Sequence, residues 1–243
     1  MDLKIKDVSD LLNVSEASIR RWLADGKIPA YKLNGQIRFS RIEIENWVLK
    51  CRVNQQNFGS FPFAEEKVSL KAKDTHSLVG SKMGTQAYSL YRAMNYGNVL
   101  VNVEGDTKEE VICNAVAQIA KDLNLDASVL ADLLLDREKL MSTGLNHGVA
   151  VPHTRDFVLQ KDFDVVTVVY PKKPIEYGSL DGEKVHTLFF LFACTDKRHL
   201  HLLAKLAHLS KDWENLEFFQ NRPSKQDVLS YVKKWESKIP TQY

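Results

Sequence analysis

Cysteine is scarce in this chain. Cys51, Cys113 and Cys194 are widely spaced and form no Cys-x-x-Cys pair. A disulfide framework and a structural zinc site are therefore not expected, and the usage fits a reducing cytosol. Long apolar runs are also missing. The longest, Thr187 to Cys194, falls far short of the roughly 20 residues a membrane helix needs. It reads as a buried central strand, so no membrane insertion is expected. The opening Met1-Asp2-Leu3-Lys4-Ile5-Lys6-Asp7 lacks the apolar core of a signal peptide, which points to the cytoplasm. Neither sign of charge dominates: 33 Lys and Arg face 31 Asp and Glu, a net +2. Any surface for a polyanion must therefore be local. What the chain has is length and apolar content, 243 residues and 44% hydrophobic, enough for two domains of ordinary size.

The first fifty residues read as a module of their own. Val8, Leu11 and Leu12 give a short helical period, broken by Asn13-Val14-Ser15. Ser15 suits the N-cap of a second helix over 16–25, and Gly26 suits its end. Ile19, Trp22 and Leu23 form that helix's buried stripe, which leaves Ser18, Arg20 and Arg21 outward. Two alternating segments, 30–33 and 36–39, flank Asn34-Gly35, the dipeptide best suited to a tight hairpin turn. A third helix over 41–51 carries Ile42, Ile44 and Trp47 back onto the unit. Between residues 14 and 42, six basic side chains face two acidic ones, a local balance of +4. Helix, turn, helix and hairpin wing is an arrangement that reads DNA. Ser18 and Arg21 would reach base edges, and Lys32 and Arg38 on the wing would grip phosphates. One such module covers little DNA, so a homodimer or higher homo-oligomer is expected.

Residues 52–95 read as a linker with a short helix near 86–95. Within it, Phe58, Phe61 and Phe63 are candidates for docking elsewhere. Strands near 98–103, 163–170 and 184–194 then alternate with helices near 107–122, 126–137, 200–211, 213–221 and 225–235. The expected fold class is α/β, a mixed β-sheet with helices on both faces. Domain bounds of 1–51, 52–95 and 96–243 follow.

The densest chemistry lies at 144–153, Gly-Leu-Asn-His-Gly-Val-Ala-Val-Pro-His. Glycines open backbone conformations other residues avoid. Pro152 fixes its own φ and biases Val151 to an extended conformation, orienting His153. A histidine with a near-neutral pKa offers a free ring nitrogen as nucleophile, and an arginine such as Arg137 can fork onto phosphate oxygens. Residues two apart on a helix point in different directions, which argues against His199 and His201 binding one metal together. His199 is expected exposed, and His208 is expected to continue the His201 face. With no Cys, Asp or Glu at ligand spacing, no metal site is expected.

Three features carry a resemblance: the 144–153 run, the preceding Leu133-Leu134-Leu135-Asp136-Arg137-Glu138-Lys139-Leu140, and the following His199-Leu200-His201-Leu202-Leu203. In that order they resemble the enzyme IIA domains of the fructose/mannitol type of the bacterial sugar phosphotransferase system, nearest the nitrogen-regulatory branch, over roughly 98–236. The resemblance implies His153 as phosphate acceptor, Arg137 as anion clamp and His201 as the second active-site histidine. Asn146, His147, Gly148 and Thr154 would line the pocket. Thr154 stands where the family often has glycine, and Asn146 replaces the loop's middle glycine. Thr154 and Arg155 add bulk and charge where a donor would dock. Residues 1–50 resemble the excisionase/MerR-like DNA-binding fold through Lys4 to Val8, Asn13-Val14-Ser15, Trp22-Leu23, Gly26 to Ala30 and Arg38-Phe39.

Together these resemblances imply a DNA-binding regulator that takes phosphate from a histidine phosphocarrier, HPr or its nitrogen-branch counterpart NPr, without a cofactor. The alternatives are a transport component passing phosphate to a sugar permease, and a DNA-binding regulator whose enzyme IIA-like domain takes no phosphate.

Overall fold

The computed structural model describes residues 2–12, 14–53, 88–154, 156, 158–159 and 162–238. The aromatic triplet at 58–63 and Arg155 lie outside the described residues.

The N-terminal unit follows from its caps and turns. A short strand, β1 (Asp2–Leu3), leads into helices α1 (Ile5–Leu12) and α2 (Glu16–Ala24). Ser15 caps α2: its Oγ accepts from the Ser18 amide at 3.1 Å. Gly26 ends the turn at φ +64°, a left-handed conformation glycine reaches without strain. Strands β2 (Tyr31–Leu33) and β3 (Gln36–Ser40) pair antiparallel across Asn34-Gly35, both at positive φ as the tight turn requires. β1 adds to the other edge of β3. Helix α3 (Arg41–Val53) follows directly. Trp47 packs on Trp22 and donates its indole N–H to the Lys27 carbonyl at 2.6 Å, tying α3 to the base of the wing.

Helix α4 (Ser89–Tyr96) begins the second unit; it packs on the sheet and on the last helix of the chain. After it come β4 (Val99–Val103), α5 (Lys108–Leu123), α6 (Ala127–Leu140), β5 (Val149–Ala150), β6 (Val165–Pro171), β7 (Thr187–Phe192), α7 (Asp196–Leu209), α8 (Trp213–Gln220) and α9 (Lys225–Lys238). The sheet order is β4-β6-β7-β5, with β6 and β7 antiparallel and both edge strands parallel to their neighbours. Every residue of β6 and β7 is buried, the pattern of strands covered on both faces. Val165, Val169, Leu188, Phe190 and Phe192 point to one apolar cluster, with α5 and α6. Val166, Val168, Phe189 and Leu191 point to the other, with α4, α7, α8 and α9. The mixed sheet with helices on both faces is therefore present.

That second cluster does not stop at the domain. Val8, Ile19, Phe39, Ile44 and Val48 belong to it as well, because α1 and α3 pack on α7. Helix α3 is accordingly buried on several sides: Ile44, Val48 and Leu49, but also Glu45 and Asn46. Two polar residues buried at that seam point to the site.

Candidate functional site: a histidine–arginine pair capped by a glutamate

Sheet pairing fixes the loop that carries His153. Its strand β5 runs parallel to β7, and Gly148 makes the entry at φ +71°, where a Cβ would lie 2.4 Å from the His186 ring. The Val151 amide donates to the Thr143 carbonyl at 3.0 Å, and the Leu191 amide donates to the Pro152 carbonyl at 2.9 Å. Beneath the loop, buried Glu138 accepts from the Thr143 amide (3.1 Å), the Thr143 hydroxyl (2.6 Å) and the Tyr177 hydroxyl (3.3 Å). Lys108 completes the anchor at 3.3 Å. Burial, reinforced by Glu138, pushes the Tyr177 phenol well above its ordinary range.

His153 is 1% exposed, and its tautomer follows from its neighbours. Nδ1 lies 2.8 Å from the Val151 carbonyl oxygen, which can only accept, so Nδ1 carries the proton. Nε2 is left with its lone pair, and the Arg137 Nε–H donates to it at 3.1 Å. Arg137 sits in the last turn of α6, also 1% exposed, and donates from Nη1 to the Met141 carbonyl (3.0 Å) and from Nη2 to Asn46 Oδ1 (3.5 Å). A basic ring nitrogen faces a guanidinium in a dry setting.

Helix α3 closes the site. Glu45 is fully buried, with Oε2 at 3.8 Å from His153 Nε2 and 3.9 Å from Arg137 Nε. Its Oε1 lies 3.7 Å from His199 Nε2 and accepts from Arg41 Nε at 3.0 Å, while Arg41 also pairs with Asp196 at the start of α7. Burial pushes the Glu45 carboxyl up, but the pull of His153, His199 and Arg41 outweighs it and holds Glu45 well below the usual carboxylate range. The His199 ring meets the His153 ring edge-on, centroids 5.0 Å apart. Burial, then the neighbouring His153, Arg41 and Arg137, lower the His199 pKa to about 3 against the raising effect of Glu45, so this ring is neutral at neutral pH.

Several sequence expectations change here. The second histidine beside His153 is His199, not His201, and His199 is 2% exposed where exposure was expected. His201 is half-buried on another face of α7, its Nε2 at 2.9 Å from Ser89 Oγ. Helix geometry allows only one of the two to face the acceptor. The discriminating signal was present: His199, Leu202, Leu203 and Leu206 form one apolar stripe by helical spacing, whereas His201 shares its face with Lys205 and His208.

Among the expected pocket residues, Thr154 is buried next to the acceptor, donating to the Asp156 carbonyl. His147 is exposed, its amide on Asp181, and Gly148 packs on His186. Asn146 is half-buried, with no hydrogen-bond partner for its Oδ1 among the described residues. Glu45 and Asn46 were missed altogether. The available signal was the run Ile44-Glu45-Asn46-Trp47-Val48-Leu49, which gives α3 no single apolar face and marks a helix buried on two sides.

Glu45, His153 and His199 bring ligand atoms within 4.8 Å of one another, close enough for a cation. Arg137 argues against one, because its N–H occupies the His153 lone pair and its charge opposes a metal. The Arg137 guanidinium beside Nε2 suits an anion, the place Glu45 fills.

The helix-turn-helix surface is basic, with one correction. Arg20 and Arg21 are exposed on α2 and Lys32 on β2. Ser18 is buried, its hydroxyl 3.0 Å from Ser15 Oγ, because the first turn folds it under the cap. Arg38 is half-buried and donates to Gln36 Oε1 and to the Ile37 carbonyl. Arg20 pairs with Glu16 at 3.3 Å; that pair is exposed, so it costs little to exchange for another anion.

Comparison with known proteins agrees with this geometry. A helix-turn-helix domain model matches residues 3–52. The nitrogen regulatory protein of Pseudomonas aeruginosa is 34% identical over 121 residues, which cover 49% of this chain and 77% of that protein. The transcriptional repressor DcmR of Methylorubrum extorquens is 41% identical over 69 residues, covering 28% of this chain and 26% of the repressor. In fold, the crystal structure of nitrogen regulatory protein IIA-Ntr from Neisseria meningitidis superposes with a TM-score of 0.53 at 23% identity, over 59% of this chain and 98% of that one. The model of the phosphoenolpyruvate-dependent sugar phosphotransferase system EIIA 2 family matches residues 93–235, more than half of the chain, and the chain belongs to that family.

Proposed function

We propose that this protein is a regulator that accepts a phosphoryl group on His153 Nε2 from a histidine phosphocarrier and binds DNA through its N-terminal helix-turn-helix. The observation that carries the reading is the tautomer. With Nδ1–H held by the Val151 carbonyl, Nε2 presents its lone pair toward the Arg137 guanidinium, which can fork onto phosphoryl oxygens.

In the transfer, the phosphorus–nitrogen bond of the donor phosphohistidine breaks and the donor ring keeps the electron pair. A new bond forms between phosphorus and His153 Nε2. The proton stays on His153 Nδ1, hydrogen-bonded to the Val151 carbonyl oxygen, so no proton has to leave for the step to proceed. Phosphoryl transfer needs little beyond in-line positioning and neutralisation of the spreading charge, which is the part of Arg137. His199, neutral and buried, stacks edge-on against the acceptor ring and holds its plane.

For DNA, the exposed Arg20, Arg21 and Lys32 supply a helix face and a wing tip, with Arg38 at the wing's edge. The likeness to a protein named as a transcriptional repressor supports this side. A single module of this size buries too little surface for specific binding, so two copies would read two half-sites.

The test is incubation with phosphoenolpyruvate, enzyme I and HPr or NPr. One acid-labile phosphoryl adduct is expected, absent from His153→Ala. No adduct with either carrier would leave a DNA-binding regulator whose enzyme IIA domain does not take phosphate.

A further inference from the structure

The acceptor is unreachable in the docked arrangement. His153 and Arg137 are each 1% exposed, and the space in front of Nε2 is filled by Glu45 and Asn46 from α3. A carrier protein must bring its own phosphohistidine in line with Nε2, and α3 stands in that approach. The Glu45 carboxylate also has the chemistry of what it would displace. It is an anion, its Oε2 lies 3.8 Å from Nε2 and 3.9 Å from Arg137 Nε, and that oxygen has no hydrogen-bond partner among the described residues.

We propose that α3 is a lid on the phosphoryl subsite. The Glu45 carboxylate stands where a phosphoryl group on His153 Nε2 would lie, so phosphorylation and docking of the N-terminal module exclude one another. This rests on the reading of His153 as phosphate acceptor.

Two physical facts make the states exclusive. A phosphoryl group on Nε2 projects its oxygens into the volume of Glu45 Oε2. It also brings a charge of about −1.5 to −2 against a buried carboxylate, and like charges in a dry site repel strongly. Arg137 can serve one anion or the other. Docking is held by the apolar packing of α1 and α3 on α7 and, at a half-buried edge, by Arg41, which bridges Glu45 and Asp196.

Coupling is reciprocal. Whatever holds the N-terminal module away from α7 must favour phosphorylation by the same factor that phosphorylation favours release. DNA that binds the released module better would therefore speed phosphate acceptance, and DNA that binds the docked module better would slow it. The exposed recognition helix in the docked form makes either sign a property of the operator geometry and not of access to α2.

The experiment uses the full chain, the carrier system above and hydrogen exchange of residues 41–49. Phosphorylated wild type should exchange faster across α3 than the unphosphorylated protein. Glu45→Gln, which keeps the shape and removes the charge, should take phosphate at least about tenfold faster, because a charge-assisted contact that holds the lid is weakened. Arg41→Ala, which loosens the same seam without touching the acceptor, should act in the same direction. Unchanged α3 protection in a protein shown by mass to carry phosphate would overturn the lid while leaving His153 as acceptor. So would equal phosphorylation rates in wild type and both variants. Failure of wild type and both variants to take phosphate would overturn the lid and the acceptor reading together.

Discussion

The two sides of the His153 site are built differently. Behind the ring, Glu138 gathers the Thr143 amide and hydroxyl and the Tyr177 hydroxyl at 2.6 to 3.3 Å, and the sheet clamps Pro152 through the Leu191 amide. In front, α3 offers Glu45 at 3.7 to 3.9 Å from three partners and Asn46 at 3.5 Å. Glu45 Oε2, Asn46 Nδ2 and His199 Nε2 lack hydrogen-bond partners among the described residues. Buried polar groups left so cost free energy. The back wall is therefore a permanent fixture, and the front wall is held by charge and apolar packing at some cost. That difference is what a part designed to separate from its seat should show.

The largest expected effect falls on the residue both walls share. Arg137→Ala should slow phosphate acceptance about 10²–10³-fold, the loss typical of a removed charge-stabilising donor, measured by single-turnover labelling from the phosphorylated carrier. A change under about threefold would mean that Arg137 serves docking alone, since uniform structural support need not touch the transfer step. Next comes the back wall. Glu138→Ala strands the Lys108 charge and the Thr143 donors, and should cost about 3 kcal/mol in urea unfolding followed by far-ultraviolet circular dichroism. If Glu138→Ala unfolds at the wild-type midpoint, the anchor described for the loop is not what holds it.

Local rules made much of this legible. Ser15, Gly26 and Asn34-Gly35 act on their own neighbours, and the caps and hairpin stand where those residues put them. The loop at 144–153 stands out by residue type and spacing, whereas Arg137 is singled out only by its place in the family resemblance. What failed was non-local. Nothing local singles out Glu45, four residues after Arg41, and only the packing of α3 on α7 makes it a buried cap. His199 was missed because the two histidines were judged by their separation from each other. The apolar stripe of Leu202, Leu203 and Leu206 places His199 inward and leaves His201 to Ser89.

The smallest effect separates those two histidines through pH. His199 has an ordinary pKa of 6.5 and is lowered to about 3 in the docked state, chiefly by burial and then by His153, with Glu45 opposing and Arg41 and Arg137 adding. Where docking is lost, the ring recovers its ordinary affinity for a proton. The open state then binds more protons than the docked one at any pH between those values, so docking weakens as pH falls below 6.5. Glu45 acts in the same direction at lower pH: its carboxyl is also lowered, so its contribution is present above 4.5 and fades as acid protonates it. Between pH 7.5 and 5.5 the opening of α3 should therefore rise by at most about tenfold, the value of one pKa unit, read from hydrogen exchange corrected for the intrinsic rate at each pH. His199→Asn should flatten that dependence. His201→Asn, with its partner Ser89 on the far side of α7, should leave it in place, and a dependence that followed His201 instead would reassign the buried proton switch.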